Sequence, residues 1–190
     1  MGIVLAVKKR GTICIASDTM TISGGSRKQT AEHVCNPEKI VKWRASYIGV
    51  AAHPIWPLIL SSYFKHEKRG PSLESKDEIF DELLKLHKVL KVKYHLTPYE
   101  DEEDSFESSR FESLIVNPHG IFKTYALRSV QQFIQFAAIG SGAQYALGAL
   151  HALYNRLDSA EDIAKAALSA VVEFDDSSGL PGLFYTVKSK

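Results

Sequence analysis

The stretch IVLAVKKRGTICIA, residues 3–16, constrains the fold more than any other part of the chain. Two short β-branched, apolar runs, 3–7 and 12–16, bracket the basic turn Lys8, Lys9, Arg10 and Gly11, which reads as a β-hairpin. A strand with one wet face alternates apolar and polar residues, and neither run does so. Both faces must therefore be covered, and a two-stranded hairpin cannot cover them alone. The expectation is a strand pair with another sheet on one side and helices on the other.

The rest of the chain offers those layers. A polar loop, SGGSRKQTAEHVCNPE, leads to a second strand pair around KIVKW and SYIGVAA. From Pro54 the apolar residues Ile55, Leu58, Ile59 and Tyr63 fall at helical spacing, and Gly70-Pro71 ends that run. Ser75 and Glu78 form a capping box ahead of the stripe Ile79, Leu83, Leu86 and Leu90. The acidic run 100–104 reads as a solvated loop, because adjacent carboxylates point in different directions. Strands return in ESLIVN and IFKTYAL, and FIQFAAIG reads as one further strand ending at the corner Gly140-Ser141-Gly142. Two helices follow. The first is AQYALGALHALYNRL; the second opens at Ser159, with Asp162 at the capping-box position and a stripe of Ile163, Ala166, Ala167, Ala170, Val171 and Phe174. GLFYTVK closes the chain as a strand. The order β-β-β-β, α-α, β-β-β, α-α, β predicts two sheets stacked face to face between two helical layers, a four-layer αββα sandwich of the α+β class.

At 190 residues and 45% hydrophobic content, the chain is expected to form one domain over 1–190. Its 23 Lys and Arg against 22 Asp and Glu give no charge excess that would mark a nucleic-acid or anionic-membrane partner. Cys14 and Cys35 make no disulfide framework, so a reducing, cytoplasmic setting is expected. No apolar run approaches the roughly 18 residues of a membrane span, and residues 3–7 are too short for a signal core. The Met1-Gly2 start has Ala6 where a myristoylation motif has Ser or Thr. No cofactor and no metal are expected.

Five pieces of sequence, in this order, carry a resemblance: GIVLAVKKRGTICIASD, KIVKW, IGVAA, AIGSGAQYALGAL and DDSSGLPG. Over nearly its whole length the chain resembles the proteasome β-subunit and bacterial HslV peptidase family of N-terminal-nucleophile hydrolases. The resemblance implies a threonine-type endopeptidase in which an N-terminal threonine hydroxyl attacks a peptide carbonyl while its own α-amino group serves as base. It implies Asp18 as the acid, Lys39 as the lysine it holds, and Gly49 as the residue whose backbone N–H faces the oxyanion. Asp175, Ser178 and Gly179 take the place of the group that orients the terminal amine. The nucleophile position falls on Gly2, which has no hydroxyl. The residue after the Gly-Ser-Gly corner is Ala143, where many proteasome subunits carry a serine that bonds the terminal amine. The loop between Thr21 and Lys39 is longer than the family usually has. The resemblance also implies a homo-oligomer of stacked rings, six or seven to a ring, with an ATPase unfoldase or other ring cap as partner and peptides or unfolded proteins as substrates.

Each residue has a plainer reading. Asp18 could cap a strand end, Lys39 could be a solvated surface lysine, and Gly49 could serve close sheet packing. Asp175, Ser178 and Gly179 could form an ordinary helix C-terminal turn. Gly140-Ser141-Gly142 could pass for a short phosphate cradle. Ser17, Thr19 and Thr21 lie near Asp18 as substitute hydroxyls, but neither Ser17 nor Thr19 gains an adjacent α-amino base, and a strand aims Ser17 opposite to Asp18. Three functions stay open: a ring subunit whose peptidase site is unarmed at Gly2, an active threonine peptidase whose natural start carries threonine, and a non-enzymatic assembly or binding module.

Overall fold

The two faces of the first hairpin go to two different cores. In the computed structural model, which describes residues 2–66, 72–97 and 106–190, strands β1 (Ile3–Lys9) and β2 (Thr12–Asp18) pair antiparallel with Val4 opposite Ser17 and Val7 opposite Cys14. Ile3, Leu5, Val7, Cys14 and Ala16 face a helical layer, while Val4, Ala6, Ile13 and Ile15 face a second sheet. This is why neither run alternates: an apolar partner waits on both sides.

The first sheet has the order β10-β1-β2-β11, from β10 (Phe136–Gly140) to β11 (Gly182–Lys188). Helices α3 (Ala143–Tyr154) and α4 (Ala160–Phe174) cover its outer face through Ala146, Leu150, Ile163, Ala167, Leu168 and Val171. The second sheet has the order β5-β6-β7-β8-β9, made of β5 (Ile40–Trp43), β6 (Ser46–Gly49), β7 (Ser113–Asn117), β8 (Gly120–Thr124) and β9 (Val130–Phe133). Its outer face packs on α1 (Ile55–His66) and α2 (Lys76–Val92). Between the sheets, Leu114, Val116, Ile121 and Ile139 meet the inner residues of β1 and β2. The architecture is the αββα sandwich expected from the element order.

Local signals set the helix starts. The Ser75 hydroxyl accepts from Glu78 N at 3.3 Å, and the Ser159 hydroxyl accepts from Asp162 N at 3.2 Å, so each satisfies an otherwise orphan backbone donor. Ile79, Leu83, Leu86 and Leu90 are all buried, as their spacing predicts.

Three sequence readings need correction. FIQFAAIG is not one strand: β9 ends at Phe133, and β10 starts at Phe136 in the other sheet. Ile134, 88% exposed, and Gln135 carry the chain across, with Gln135 O accepting from Lys8 N at 2.7 Å. The buried stripe of α4 is Ala160, Ile163, Ala164, Ala167, Leu168 and Val171; Phe174 is 67% exposed and its ring lies against that of Tyr145. The polar loop after β2 contains a small hairpin, β3 (Thr21–Ser23) with β4 (Arg27–Gln29). The Gly70-Pro71 break and the acidic run 100–104 lie outside the described residues. Among the described residues, no helix is long and apolar enough to cross a membrane.

The Ile15 side chain is fully buried between the two sheets. Ile15→Ala is expected to destabilise the chain by about 2–5 kcal/mol, the usual cost of such a cavity. Urea unfolding followed by circular dichroism checks this: the midpoint should fall while the slope stays unchanged.

Candidate functional site

The ends of β1, β2, β5, β10 and β11 meet at one end of the sandwich. Ile3 lies opposite Gly140, and Gly182 lies opposite Asp18, so residue 2 emerges beside the end of β10 and near the end of β2. Asp18 is fully buried. Its Oδ1 accepts from Ile3 N at 2.9 Å and from Lys39 Nζ at 2.5 Å. Its Oδ2 accepts from Met20 N at 3.0 Å and Gly179 N at 3.2 Å. A carboxylate removed from water needs this many donors, because an ionised group without them is very costly to bury.

Lys39 stands immediately before β5 and is 9% exposed. Burial pulls its ammonium below the ordinary lysine value, and the charge and hydrogen bond of Asp18 oppose that pull. The solvated surface lysine of the plainer reading is not what the fold produces.

Gly2 lies against this pair. Its φ is +91°, a left-handed backbone that side chains rarely adopt. A Cβ built there would overlap Lys39 Nζ and stand 2.5 Å from Asp18 Oδ1, so the side-chain direction of residue 2 points into the ion pair. Its carbonyl packs so closely on Gly140 that a Cβ at Gly140 would overlap it, and it accepts from Ser141 N at 3.0 Å.

On the other side, Gly2 N donates to Ser141 Oγ at 3.2 Å. Ser141 has one hydroxyl proton and two acceptors, Asp175 Oδ2 at 2.9 Å and Gly2 O at 3.3 Å; the shorter, charge-assisted bond to Asp175 prevails. Asp175, the C-cap of α4, also accepts from Ser178 Oγ at 2.6 Å and Ser177 N at 3.3 Å. The nitrogen of residue 2 is thus held by Ser141, and Ser141 by Asp175 with Ser178. The sequence reading placed the amine-bonding serine of the proteasome subunits at position 143, which is Ala143 here; the hydroxyl that reaches this nitrogen is Ser141. A serine between two glycines, just after a strand and just before a helix, was the available signal.

Gly49 closes β6, opposite Ile40 on one side and Leu114 on the other. A Cβ there would come 2.5 Å from Val4 Cγ1, so close approach of the two sheets is itself a reason for glycine. Among the substitute hydroxyls, Ser17 is fully buried and its Oγ has no hydrogen-bond partner among the described residues. Thr19 is buried too, donating to Pro181 O at 2.7 Å and accepting from Ala31 N at 3.3 Å. Thr21 lines a cleft of about 760 Å³ that also borders Lys39, Met20, Val50 and Ala52. The long loop supplies one wall of that cleft through Gln29, Val34 and Asn36. Among the described residues, no group of three or more ligating side chains could hold a metal ion.

The chain is similar over 99% of its length to Thiobacillus denitrificans BPH in complex with epoxomicin, at 40% identity and a TM-score of 0.91, with 99% of that chain covered. A second structure of Thiobacillus denitrificans BPH matches at 42% identity and a TM-score of 0.92, over 99% of this chain and 98% of that one. The chain belongs to the HslV/proteasome β-subunit family. Eukaryotic HslV from Trypanosoma brucei shares the fold, at 16% identity and a TM-score of 0.67 over 98% of this chain and 99% of that one. No family model and no curated protein matches the sequence. Within this HslV-type fold, the grouping of Asp18, Lys39, Gly2, Ser141, Asp175 and Ser178 is assembled from five separate parts of the chain.

A lysine whose ammonium burial pulls down should titrate below its exposed neighbours. The sign for stability follows: the folded state carries a penalty for charged Lys39 that is relieved as pH rises toward the ordinary value of 10.5. Side-chain NMR of the lysine ε-methylene groups checks this. Lys39 is expected to titrate below the ordinary lysine value, whereas titration at that value would contradict it.

Proposed function

We propose that this chain is a subunit of a proteasome-like peptidase ring whose own nucleophile position, Gly2, carries no side chain. One domain over 1–190 serves the fold and the site together. In this reading Asp18 holds Lys39 beside residue 2, and Lys39 is the cation that a hydroxyl there would need to act as a nucleophile at neutral pH. Ser141, Asp175 and Ser178 hold the residue 2 nitrogen, and Gly49, flanked by Ile40 and Leu114 inside its sheet, serves the close approach of the two sheets. The observation that carries the reading is the direction of the missing Cβ: it aims from Gly2 straight at Lys39 Nζ and Asp18 Oδ1. On this reading the buried acid, the lysine and the nitrogen-holding hydroxyl of a family-type site are kept, and the nucleophile is missing.

The same observation favours a second reading, in which a threonine at this position makes the chain an active threonine peptidase of peptides or unfolded proteins. Lys39 Nζ would have to give way to a threonine Cβ, and it is the free end of a flexible side chain. Gly2→Thr with Met1 removed is therefore expected to hydrolyse fluorogenic peptides at least about 100-fold faster than the Gly2 chain, since nucleophile loss costs orders of magnitude. The Gly2 chain should show no turnover above a heat-unfolded sample. Turnover by the Gly2 chain that survives repurification would overturn the unarmed reading.

Assembly belongs to the proposal. Tyr145 at 47%, Leu147 at 39% and Phe174 at 67% exposure leave apolar surface on the outer helices, and Ile55 and Leu58 do the same on α1. Surfaces of this kind mark contacts with other chains. Head-to-tail contacts whose rotation closes give rings, and stacking adds a two-fold interface. A cytoplasmic location and an ATPase unfoldase or other cap complete the reading. Size-exclusion chromatography with light scattering should give a mass many times the 21.1 kDa of one chain; a mass near 21.1 kDa across a wide concentration range would defeat the ring.

A further inference from the structure

The site holds a buried amine at the border of a cleft. Lys39 borders the cleft of about 760 Å³, and its side chain keeps 11% of its surface exposed. The cleft it borders is lined in part by the apolar residues Met20, Ile40, Val50 and Ala52. On the side of residue 2, Gly2 contributes no atom beyond its backbone, where any other residue would put a Cβ on top of Nζ. Asp18 needs Lys39 less than a lone counter-ion would. Ile3 N, Met20 N and Gly179 N also donate to it, so the carboxylate stays satisfied when Nζ changes its bonding.

We propose that Lys39 Nζ is a nucleophilic amine that captures aldehydes entering the cleft as a protonated imine, with Asp18 as proton carrier and counter-ion. The chemistry balances without a further reactant. One ammonium proton passes from Nζ to Asp18 Oδ1, 2.5 Å away, as the nitrogen lone pair attacks the carbonyl carbon. A second proton moves from nitrogen to the former carbonyl oxygen, giving a carbinolamine. Asp18 then returns its proton to that hydroxyl, which leaves as water as the C=N bond forms. The product, R–CH=NH⁺–Lys39, keeps one N–H and one positive charge to donate to Asp18. The lowering of the ammonium by burial works in the same direction, since only a neutral amine attacks and a desolvated lysine supplies more of it near neutral pH.

The proposal takes Lys39 and Asp18 as the cation and acid of the site proposed above. Its readout is an adduct on one nitrogen, so peptide hydrolysis by residue 2 neither supports nor defeats it. The test is incubation of the full chain with propionaldehyde and sodium cyanoborohydride at pH 7, with quenched time points mapped by peptide mass spectrometry. The N-terminal α-amine reacts too and is resolved from Lys39 by the map. Lys39 is expected to be alkylated at least about tenfold faster than exposed lysines such as Lys93 and Lys188. Lys39→Arg, which keeps the charge beside Asp18, should remove that fast adduct while the surface lysines react unchanged. Alkylation of Lys39 at or below the rate of the exposed lysines in the wild-type chain overturns the proposal, whether or not the variant folds.

Discussion

The buried carboxylate of Asp18 is the interaction on which the rest of the site depends. It draws donors from Ile3 at the start of β1, Met20 just past β2, Gly179 ahead of β11 and Lys39 ahead of β5. The first three fix the end of one sheet, and the fourth ties that end to the other sheet across the sandwich. An ionised group so enclosed is tolerable only with several donors, and these four segments supply them. The position of residue 2 is a by-product of the same network, because Ile3 N is one of the four donors.

Seen from residue 2, two polar groups are arranged on opposite sides of one small backbone unit. Asp18 and Lys39 lie in the direction of the missing Cβ, and Ser141, held by Asp175, takes the nitrogen. The carbonyl is pinned by Ser141 N and by close packing against Gly140. On the proposed reading this is a pre-organised peptidase site that has kept its electrostatics without its nucleophile. The plainer readings explain parts of it: Gly49 is needed where the two sheets approach, and Asp175 does cap a helix. They do not explain why a buried lysine is aimed at an unsubstituted glycine.

The fold was legible where local chemistry and tertiary burial agree. The unalternating hairpin announced two covered faces, and Ser75 and Ser159 announced two helix starts through hydroxyls that do cap them. It was less legible where periodicity is silent. FIQFAAIG is apolar apart from Gln135, and one polar residue does not mark the crossing from one sheet to the other at Ile134 and Gln135; that break is set by which neighbour each half pairs with. In α4, both Ala166 and Ala167 suit a core by composition, and only packing against β1 and β2 chooses the face. The site divides in the same way. Asp18, Lys39, Asp175 and Ser178 were reachable through family motifs, whereas the Asp18 donors at Ile3, Met20 and Gly179 are backbone groups that carry no side-chain signal. Ser141 is visible in the sequence, but a Gly-Ser-Gly corner has many uses.

The most direct measurement is retention of epoxomicin, the compound held by the Thiobacillus denitrificans relative, on the Gly2 chain and on Gly2→Thr with Met1 removed. Both proteins would be incubated with the compound, desalted and weighed by intact mass spectrometry. On the proposed reading, Gly2→Thr retains an epoxomicin adduct and the Gly2 chain keeps its unmodified mass. Equal retention by the Gly2 chain would contradict a site whose only missing part is the side chain of residue 2.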